Sequence, residues 1–420
     1  MCSQEWTKGQ LFLLYAGSSF ALLLVSTTLG PLKWIPTLQP WLQNGAEWGM
    51  QWSAQFFFGK GANFYSPISS DSLGLLIHGF NVLLLSLLLG GLFSRMTIAK
   101  EKAPVVYYGL RAFLSYYLAL QLFLYGFSKV FKYQFYLPEP NTLYTTVGET
   151  PRDLLFWSVM GSAYGYTVFA GLLEVLAAGL LLFRKTRLVG ALLGLGLFAH
   201  IVAVNFGFNI SVKIYSLLFL ASTLVILLPH LGRLYAFLIQ NQWIAPSHWQ
   251  PSYQHTKARL LYASTKTIVV GLLLLEGLYP YFKANSFNDD LAARPAFHGA
   301  YQVESFIKNQ ISYPDQAVYT ERWYRAFVHR RGYFVVQYEN GKTQDYELAY
   351  DRAAGLWELI HTQTKERSLL EYTLLADESL RLVGTMEGAT LEVFLQKLEW
   401  QALPLLQQEF YWTIDEINSQ

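Results

Sequence analysis

The chain is poor in charge and almost without cysteine. Charged residues make up 14% of its 420 residues, against roughly 25% in an ordinary soluble domain. The single cysteine, Cys2, excludes an internal disulfide, a Cys-x-x-Cys redox pair and a zinc knuckle. A formal net charge of +2 without a basic stripe indicates no nucleic-acid partner.

The sequence also lacks the short motifs of several enzyme classes. It contains no His-Glu-x-x-His, no Walker phosphate loop and no Gly-x-Ser-x-Gly. We therefore predict no metal site, and these motifs identify no reaction that the protein would catalyse. Isolated titratable residues of the C-terminal region are predicted to be solvated surface groups: His298, His329, His361, Asp415 and Glu416.

Apolar runs are abundant, and they are confined to residues 1–282. Hydrophobic residues make up 53% of the chain, and a membrane span needs about 20 of them in a row to cross roughly 30 Å of hydrocarbon. The pattern predicts seven spans: Leu11–Gly30, Ser72–Phe93, Val105–Phe127, Tyr164–Phe183, Leu188–Phe208, Ile210–Leu228 and Thr267–Phe282. The lipid bilayer is thus the first predicted partner.

Two further helices are predicted beside these spans. The connection Pro31–Asp71 is long and rich in tryptophan and phenylalanine, which favour the membrane interface. We expect a short amphipathic helix there. The run before the fourth span is too long for one perpendicular crossing, so Leu154–Gly161 is predicted to form a separate interfacial helix.

Basic residues in the short connections predict the orientation, because such residues favour the cytoplasmic side. With seven spans, three basic loops fall on one side: Arg95, Lys100 and Lys102; Arg184, Lys185 and Arg187; Arg233, Lys257, Arg259 and Lys266. The N-terminus is then cytoplasmic and the C-terminal region extracytoplasmic.

The C-terminal region changes to a pattern typical of β structure. About eight short runs rich in Tyr, Val, Phe and Leu alternate with turn signals, of which Asn340-Gly341 is the strongest. We predict an antiparallel all-β domain, either an up-and-down barrel or a sandwich. Phe410-Tyr411-Trp412 would close or cover it.

Polar residues inside the spans predict a cavity that opens outward. A buried charge is costly in lipid, so an ionisable residue there is a functional candidate. The candidates all fall in the outer half: His78, Asn81, Lys129, Lys132, Glu174, His200, Asn205, Asn209 and Lys213. Asn205, Asn209 and Lys213 would share one face if the helix continued through the turn. The alternative is a network of satisfied hydrogen bonds between helices.

Two histidines allow a different ligand. His78 and His200 lie at similar depth on different spans, as two axial haem ligands would. No attachment motif accompanies them, so haem is an alternative that the rest of the sequence does not support.

Four segments together resemble the DoxX-like family of integral membrane proteins. They are Arg111-Ala-Phe-Leu-Ser-Tyr-Tyr-Leu-Ala-Leu, Tyr125-Gly-Phe-Ser-Lys129, Gly171-Leu-Leu-Glu174 and Gly179-Leu-Leu-Leu. The similarity is greatest to a bacterial branch in which the bundle precedes a β-rich tail. His200 stands where that branch has asparagine, and Asn209 where it has aspartate.

The resemblance implies a division into four parts and a cellular location. Residues 1–104 are N-terminal spans with an aromatic external loop, 105–235 a four-helix DoxX-like core, 236–283 a cytoplasmic loop and the last span, and 284–420 the β-rich domain. The location implied is the bacterial inner membrane, with the β domain in the periplasm.

The resemblance also implies candidate functions. One is an anchor for the β domain, as a subunit of an envelope complex with a protein partner, and an oligomer of this chain is a further alternative. Another is a quinone-linked oxidoreductase acting on thiols or sulfur compounds, with a quinone as cofactor. Transport of a small molecule is a third. More distantly, similar bundles occur in vitamin K-dependent carboxylases, which use a lysine as base, so Lys129 and Lys213 are candidate bases.

Overall fold

A computed structural model describes residues 6–28, 39–61, 64–243, 256–313, 321–375, 377–407 and 412. The chain forms two compact units. The helical unit comprises Met1–Gln134 and Val168–Phe287, and the barrel unit comprises Phe135–Thr167 and Asn288–Gln420. The chain therefore passes from the helical unit to the barrel unit twice, first for residues 135–167 and then from residue 288 onward.

Eleven α-helices occur among the described residues: α1 Lys8–Thr27, α2 Gln39–Phe58, α3 Leu73–Ser94, α4 Ala99–Val130, α5 Pro140–Leu143, α6 Arg152–Ser162, α7 Tyr164–Leu182, α8 Arg187–Gly207, α9 Lys213–Leu227, α10 Leu231–Leu238 and α11 Thr256–Ala284. A 3₁₀ turn, Leu228–His230, joins α9 to α10. Helices α5 and α6 belong to the barrel unit, and the other helices lie wholly or mainly in the helical unit.

The seven predicted spans are confirmed as seven candidate membrane helices. Seven helices are each long and apolar enough to cross a bilayer: α1, α3, α4, α7, α8, α9 continued by α10, and α11. Helix α4 is longer than expected, with 32 residues from Ala99 to Val130. The chain thus has the architecture of a multi-pass membrane protein.

The two additional helices are also present. Helix α2 occupies the connection in which a short helix was predicted, and α6 is separated from α7 at Ala163. Trp34, in the same aromatic connection, lies outside the described residues.

Nine strands form the sheet: β1 Gly299–Lys308, β2 Ile311–Ser312, β3 Trp323–His329, β4 Tyr333–Tyr338, β5 Thr343–Asp351, β6 Leu356–His361, β7 Arg367–Leu374, β8 Leu380–Met386 and β9 Ala389–Leu398. Strands β3 to β9 pair antiparallel in sequence order, and β1 pairs with both β3 and β9. This closes an eight-stranded up-and-down barrel, so of the two predicted β folds the barrel is the observed one. The two-residue strand β2 extends only the end of β1.

Side chains fill the barrel, as expected for eight strands. Alternate residues point inward, and their interior cluster includes Tyr301, Trp323, Phe334, Trp357 and Val393. The predicted Asn340-Gly341 turn joins β4 to β5, with Gly341 at a φ of 78°. Of the predicted closing segment Phe410-Tyr411-Trp412, only Trp412 is among the described residues.

The segment that precedes α7 packs on the outside of the barrel. Helix α5 contacts β3, and Leu143 and Tyr144 pack against a cluster that contains Phe327 and Trp400. These apolar contacts explain why residues 135–167 belong to the barrel unit although they lie between two candidate spans in the sequence.

Candidate functional site

Lys129 and Glu174 form an ion pair inside the helical unit. The Lys129 Nζ donates to both carboxylate oxygens of Glu174 at 2.9 Å. The two side chains are 10% and 4% exposed. Because Lys129 lies in the last turn of α4 and Glu174 in the middle of α7, the pair joins these helices.

Two glycines bring α4 and α7 close enough for this pair. A Cβ atom on Gly126 would lie 2.9 Å from the Gly171 carbonyl oxygen, and one on Gly171 would lie 2.8 Å from the Lys129 Cβ. Any larger residue would therefore push the helices apart. Small residues at helix interfaces in membranes allow this kind of close backbone approach.

The ion pair is suited to holding helices together. A fully buried carboxylate is tolerated when its partner neutralises it and occupies its oxygens, as Lys129 does for Glu174. The Tyr125 ring lies 5.7 Å from the Lys129 Nζ, within the range of a cation–π contact. Both members of the pair were predicted for the polar cavity, and the structure brings them together.

His78 and Asn81 connect α3 to two other helices. The His78 Nε2 lies 2.8 Å from the Thr27 hydroxyl at the end of α1. The Asn81 amide accepts a hydrogen bond from Ser53 at 2.7 Å and donates to the Gly49 carbonyl of α2 at 3.1 Å. Each of these predicted cavity residues thus has a partner on a neighbouring helix.

Lys213 lies at a helix N-terminus that Asp71 caps. The Asp71 carboxylate accepts the backbone N–H groups of Lys213 at 3.0 Å and Ile214 at 2.9 Å. The Lys213 Nζ lies 3.5 Å from the same carboxylate and donates to the Ile210 carbonyl at 3.0 Å. Asp71 was not predicted from the sequence, because it lies in a connection 142 positions before Lys213.

The proposed shared face of Asn205, Asn209 and Lys213 does not form. Helix α8 ends at Gly207, Asn209 has a φ of 55°, and α9 begins at Lys213. A shared face requires one continuous helix from Asn205 to Lys213, and the turn between α8 and α9 interrupts that helix. Asn205 is buried, whereas Asn209 is exposed.

The other predicted residues differ in burial. Lys132 is fully buried just after α4, with a φ of 63°. His200 is exposed on the surface of α8. The Asn205 Nδ2 is buried and has no hydrogen-bond partner. Among the nine predicted residues, Lys129 and Glu174 form an ion pair, and His78, Asn81 and Lys213 bind neighbouring segments. His200 and Asn209 are exposed.

A second polar cluster lies in the barrel unit and was missed from the sequence. Glu139, just before α5, accepts hydrogen bonds from the His298 Nε2 at 3.0 Å and the Arg330 backbone N–H at 3.1 Å. The His329 Nε2 lies 3.9 Å from the same carboxylate. The Arg330 guanidinium in turn donates to Asp289 at 2.5 Å.

Burial and hydrogen bonds act in opposite directions on this cluster. Burial raises the pKa of Glu139, but the His298 hydrogen bond, the His329 charge and the Arg330 N–H outweigh it, so the pKa lies below its ordinary value. Burial lowers the pKa of His329, more than Glu139 raises it. The His329 Nδ1 accepts the Arg331 N–H at 3.1 Å, and its Nε2 faces Glu139.

The expectation that His298 and His329 are solvated surface groups is wrong. Their side chains are 8% and 18% exposed and face a carboxylate that is 5% exposed. In the sequence these residues stand alone, and only a contact with a residue far along the chain pairs them. His361 is the last residue of β6 and is half-buried, and its Nδ1 accepts two backbone N–H groups of the turn that follows.

Neither cluster is arranged as a metal centre. Across the described parts of the chain, no group of three or more His, Cys, Asp or Glu side chains could hold a metal ion. What both clusters can do chemically is neutralise buried charge and hold two segments together.

Comparison with known proteins gives one informative relative. No protein-family profile matches the chain, and no solved structure matches it. A protein of Bacillus subtilis (strain 168), described as "Uncharacterized protein YwoB", is 32% identical over 111 residues, which make up 26% of this chain and 70% of that protein. Its description assigns no activity. The chain belongs to the same family as the uncharacterized protein YwoB of Bacillus subtilis.

Proposed function

We propose that the chain is a bacterial inner-membrane protein of DoxX-like type whose helices anchor the barrel outside the cytoplasm, as a subunit of an envelope complex. The seven candidate spans and the closed barrel support an anchor that carries a folded domain. The basic loops support the outward orientation of the barrel.

The observation that carries this proposal is the Lys129–Glu174 pair. Its polar atoms are occupied by each other, with both Nζ–oxygen distances at 2.9 Å. A catalytic acid or base needs a proton acceptor or donor from the substrate within reach. A carboxylate whose two oxygens both accept from a buried lysine is better placed to join helices.

One cavity inside the helical unit lies away from the predicted polar residues. A cavity of about 60 Å³ lies between α1, α4 and α9, lined by residues such as Leu24, Tyr117 and Phe219. None of the nine predicted polar residues lines it. Its volume is well below the ~300–1,000 Å³ of ligand pockets.

Purification from native membranes tests the role in a complex. We expect the tagged full-length chain, extracted in mild detergent, to retain a protein partner in constant ratio, with cross-links to barrel residues. The double variant Lys129→Met/Glu174→Met should retain the same partner, because it replaces the pair without leaving a charge unpaired. A chain that purifies without any partner in constant ratio would contradict the proposal.

A quinone-linked oxidoreductase is a second candidate, favoured by Asn205. Its buried Nδ2 donor has no acceptor, and a quinone carbonyl is an acceptor that would satisfy it. The lipid extract of the purified chain would then contain quinone in constant ratio, and less of it in Asn205→Leu. His78→Leu is the matched control, since His78 already has Thr27 as its partner. Equal quinone content in all three chains would exclude this role for Asn205.

A further inference from the structure

One end of the barrel contains a cavity of about 490 Å³. Its volume lies within the ~300–1,000 Å³ typical of small-molecule sites. The lining includes aromatic rings and charged groups: Phe297, Tyr301, Tyr372, Arg352, Glu378 and Lys397. These residues come from the start of β1, the ends of β7 and β9, and the turns between β5 and β6 and between β7 and β8.

The cavity lining has two basic residues and one acidic residue, so one basic residue has no carboxylate partner in the lining. Lys397 pairs with Glu378 on the adjacent turn. Arg352, an exposed residue in the turn after β5, makes no ion pair within the described residues, and its guanidinium lies 5.8 Å from the centroid of the Tyr350 ring. The cavity therefore has a net positive charge, carried by a residue with planar hydrogen-bond donors that suit a carboxylate.

An aromatic side chain forms the inner wall of this cavity. The Phe297 ring lies 5.1 Å from the ring of Tyr372 and 5.3 Å from that of Trp357, edge to face in both cases. The Tyr301 hydroxyl donates to the Phe297 carbonyl at 2.8 Å. This wall offers ring faces and edges to a flat apolar ligand.

The backbone at Phe297 is strained. Its φ is 66°, a conformation that is a clear outlier for a bulky residue. Such strain persists only where the surrounding structure enforces it, and it concentrates at binding sites. Trp357, which packs against Phe297, is fully buried, and its Nε1 has no acceptor.

We propose that this end of the barrel binds a small aromatic carboxylate. Its ring packs against Phe297 and Tyr372, and its carboxylate pairs with Arg352. This site is independent of the proposed anchoring role, since it uses none of the helical unit.

Binding of 2-naphthoate to the full-length chain in lipid nanodiscs tests the site. We expect saturable binding in excess of empty nanodiscs, measured by saturation-transfer NMR and calorimetry. The neutral analogue 2-naphthamide should bind at least about tenfold more weakly, because it lacks the charge that strengthens a hydrogen bond to Arg352.

Three variants separate the site from general charge effects. Arg352→Gln should weaken naphthoate binding about tenfold, and Arg352→Lys, which keeps the charge, should recover part of it. Arg381→Gln removes the same charge from the exposed face of β8, where Arg381 pairs with Glu392, and should leave binding unchanged. No saturable binding, equal binding of acid and amide, or equal effects of the two glutamine variants would overturn the proposal.

Discussion

The His298 Nε2 lies 3.0 Å from the Glu139 carboxylate, although 159 positions separate the two residues in the chain. Between them the chain forms α7 to α11 of the helical unit. The contact therefore attaches the segment before α7 to the barrel by a buried, charge-assisted hydrogen bond. Together with the apolar contacts of α5, it makes residues 135–167 part of a unit whose strands come much later in the sequence.

Acidification should destabilise the barrel unit in two steps. Burial lowers the pKa of His329 in the folded protein below its ordinary 6.5. Below pH 6.5 the unfolded chain therefore binds a proton at His329 more readily than the folded protein does, and the free energy of unfolding decreases as pH falls. The pKa of Glu139 lies below 4.5 despite burial, so the free energy of unfolding decreases a second time as pH falls below that value. Urea unfolding of the full-length chain in micelles, followed by tryptophan fluorescence between pH 7.5 and 5.5, measures the first step.

Two histidine variants test whether His329 causes that first step. The free energy of unfolding of His329→Gln should decrease much less than that of the wild type between pH 7.5 and 5.5. Glutamine does not bind a proton in the unfolded state, so this contribution to the pH dependence is removed. The charged and titratable groups around it, Glu139, His298, Arg330 and Arg331, are unchanged in this variant. His361→Gln, at the end of β6 and away from this cluster, should keep the wild-type slope. Equal slopes in all three chains would contradict the assignment.

The sequence predicted the fold better than the contacts within it. Alternation of apolar and polar residues located β3 at Trp323–Val328, and the strand ends one residue later, at His329. Closure of the barrel depends on β1 pairing with β9, for example Ala300 with Leu398. No local pattern specifies a pairing over that distance, so barrel and sandwich remained equal alternatives.

The same limit applies to the polar clusters. Lys129 and Glu174 were candidates because a charge inside an apolar run is conspicuous by itself. Glu139, His298 and His329 lie in ordinary polar surroundings in the sequence, so nothing marks them. Asp71 is a similar case, since its role as a cap depends on α9 lying beside it in the fold.

Replacing one member of the Lys129–Glu174 pair should destabilise the helical unit more than replacing both members. Glu174→Gln or Lys129→Met alone leaves an uncompensated buried charge or donor and should lower the stability of the helical unit by about 3–5 kcal/mol. The double variant Lys129→Met/Glu174→Met should be less destabilised than either single variant. Thermal unfolding of the purified chains in detergent measures this. A double variant that loses as much as the two single variants together would mean that the two side chains do not act as a pair.

The strain at Phe297 predicts an unusual order of two small replacements. Phe297→Gly and Phe297→Ala lose the same ring contacts, but only glycine adopts a φ of 66° without penalty. The glycine variant should therefore be more stable than the alanine variant by about 1 kcal/mol. Urea unfolding followed by tryptophan fluorescence compares them.

A control position in the barrel should show the opposite order. Ala326, fully buried in β3, has ordinary strand geometry, so Ala326→Gly should be destabilising by roughly 0.5–1 kcal/mol. If alanine were also the more stable residue at position 297, the positive φ would not be a source of strain.

Asp71 should contribute to stability chiefly as a cap for α9. Its two oxygens accept the N–H groups of Lys213 and Ile214, which have no partner within the helix. Asp71→Ala removes both acceptors and should cost about 1 kcal/mol. Asp71→Asn keeps one capping oxygen but loses the second acceptor and the ion pair with the half-buried Lys213, so it should retain part of the stability. Thermal unfolding of both variants in detergent compares them, because equal losses would mean that a single capping oxygen contributes nothing.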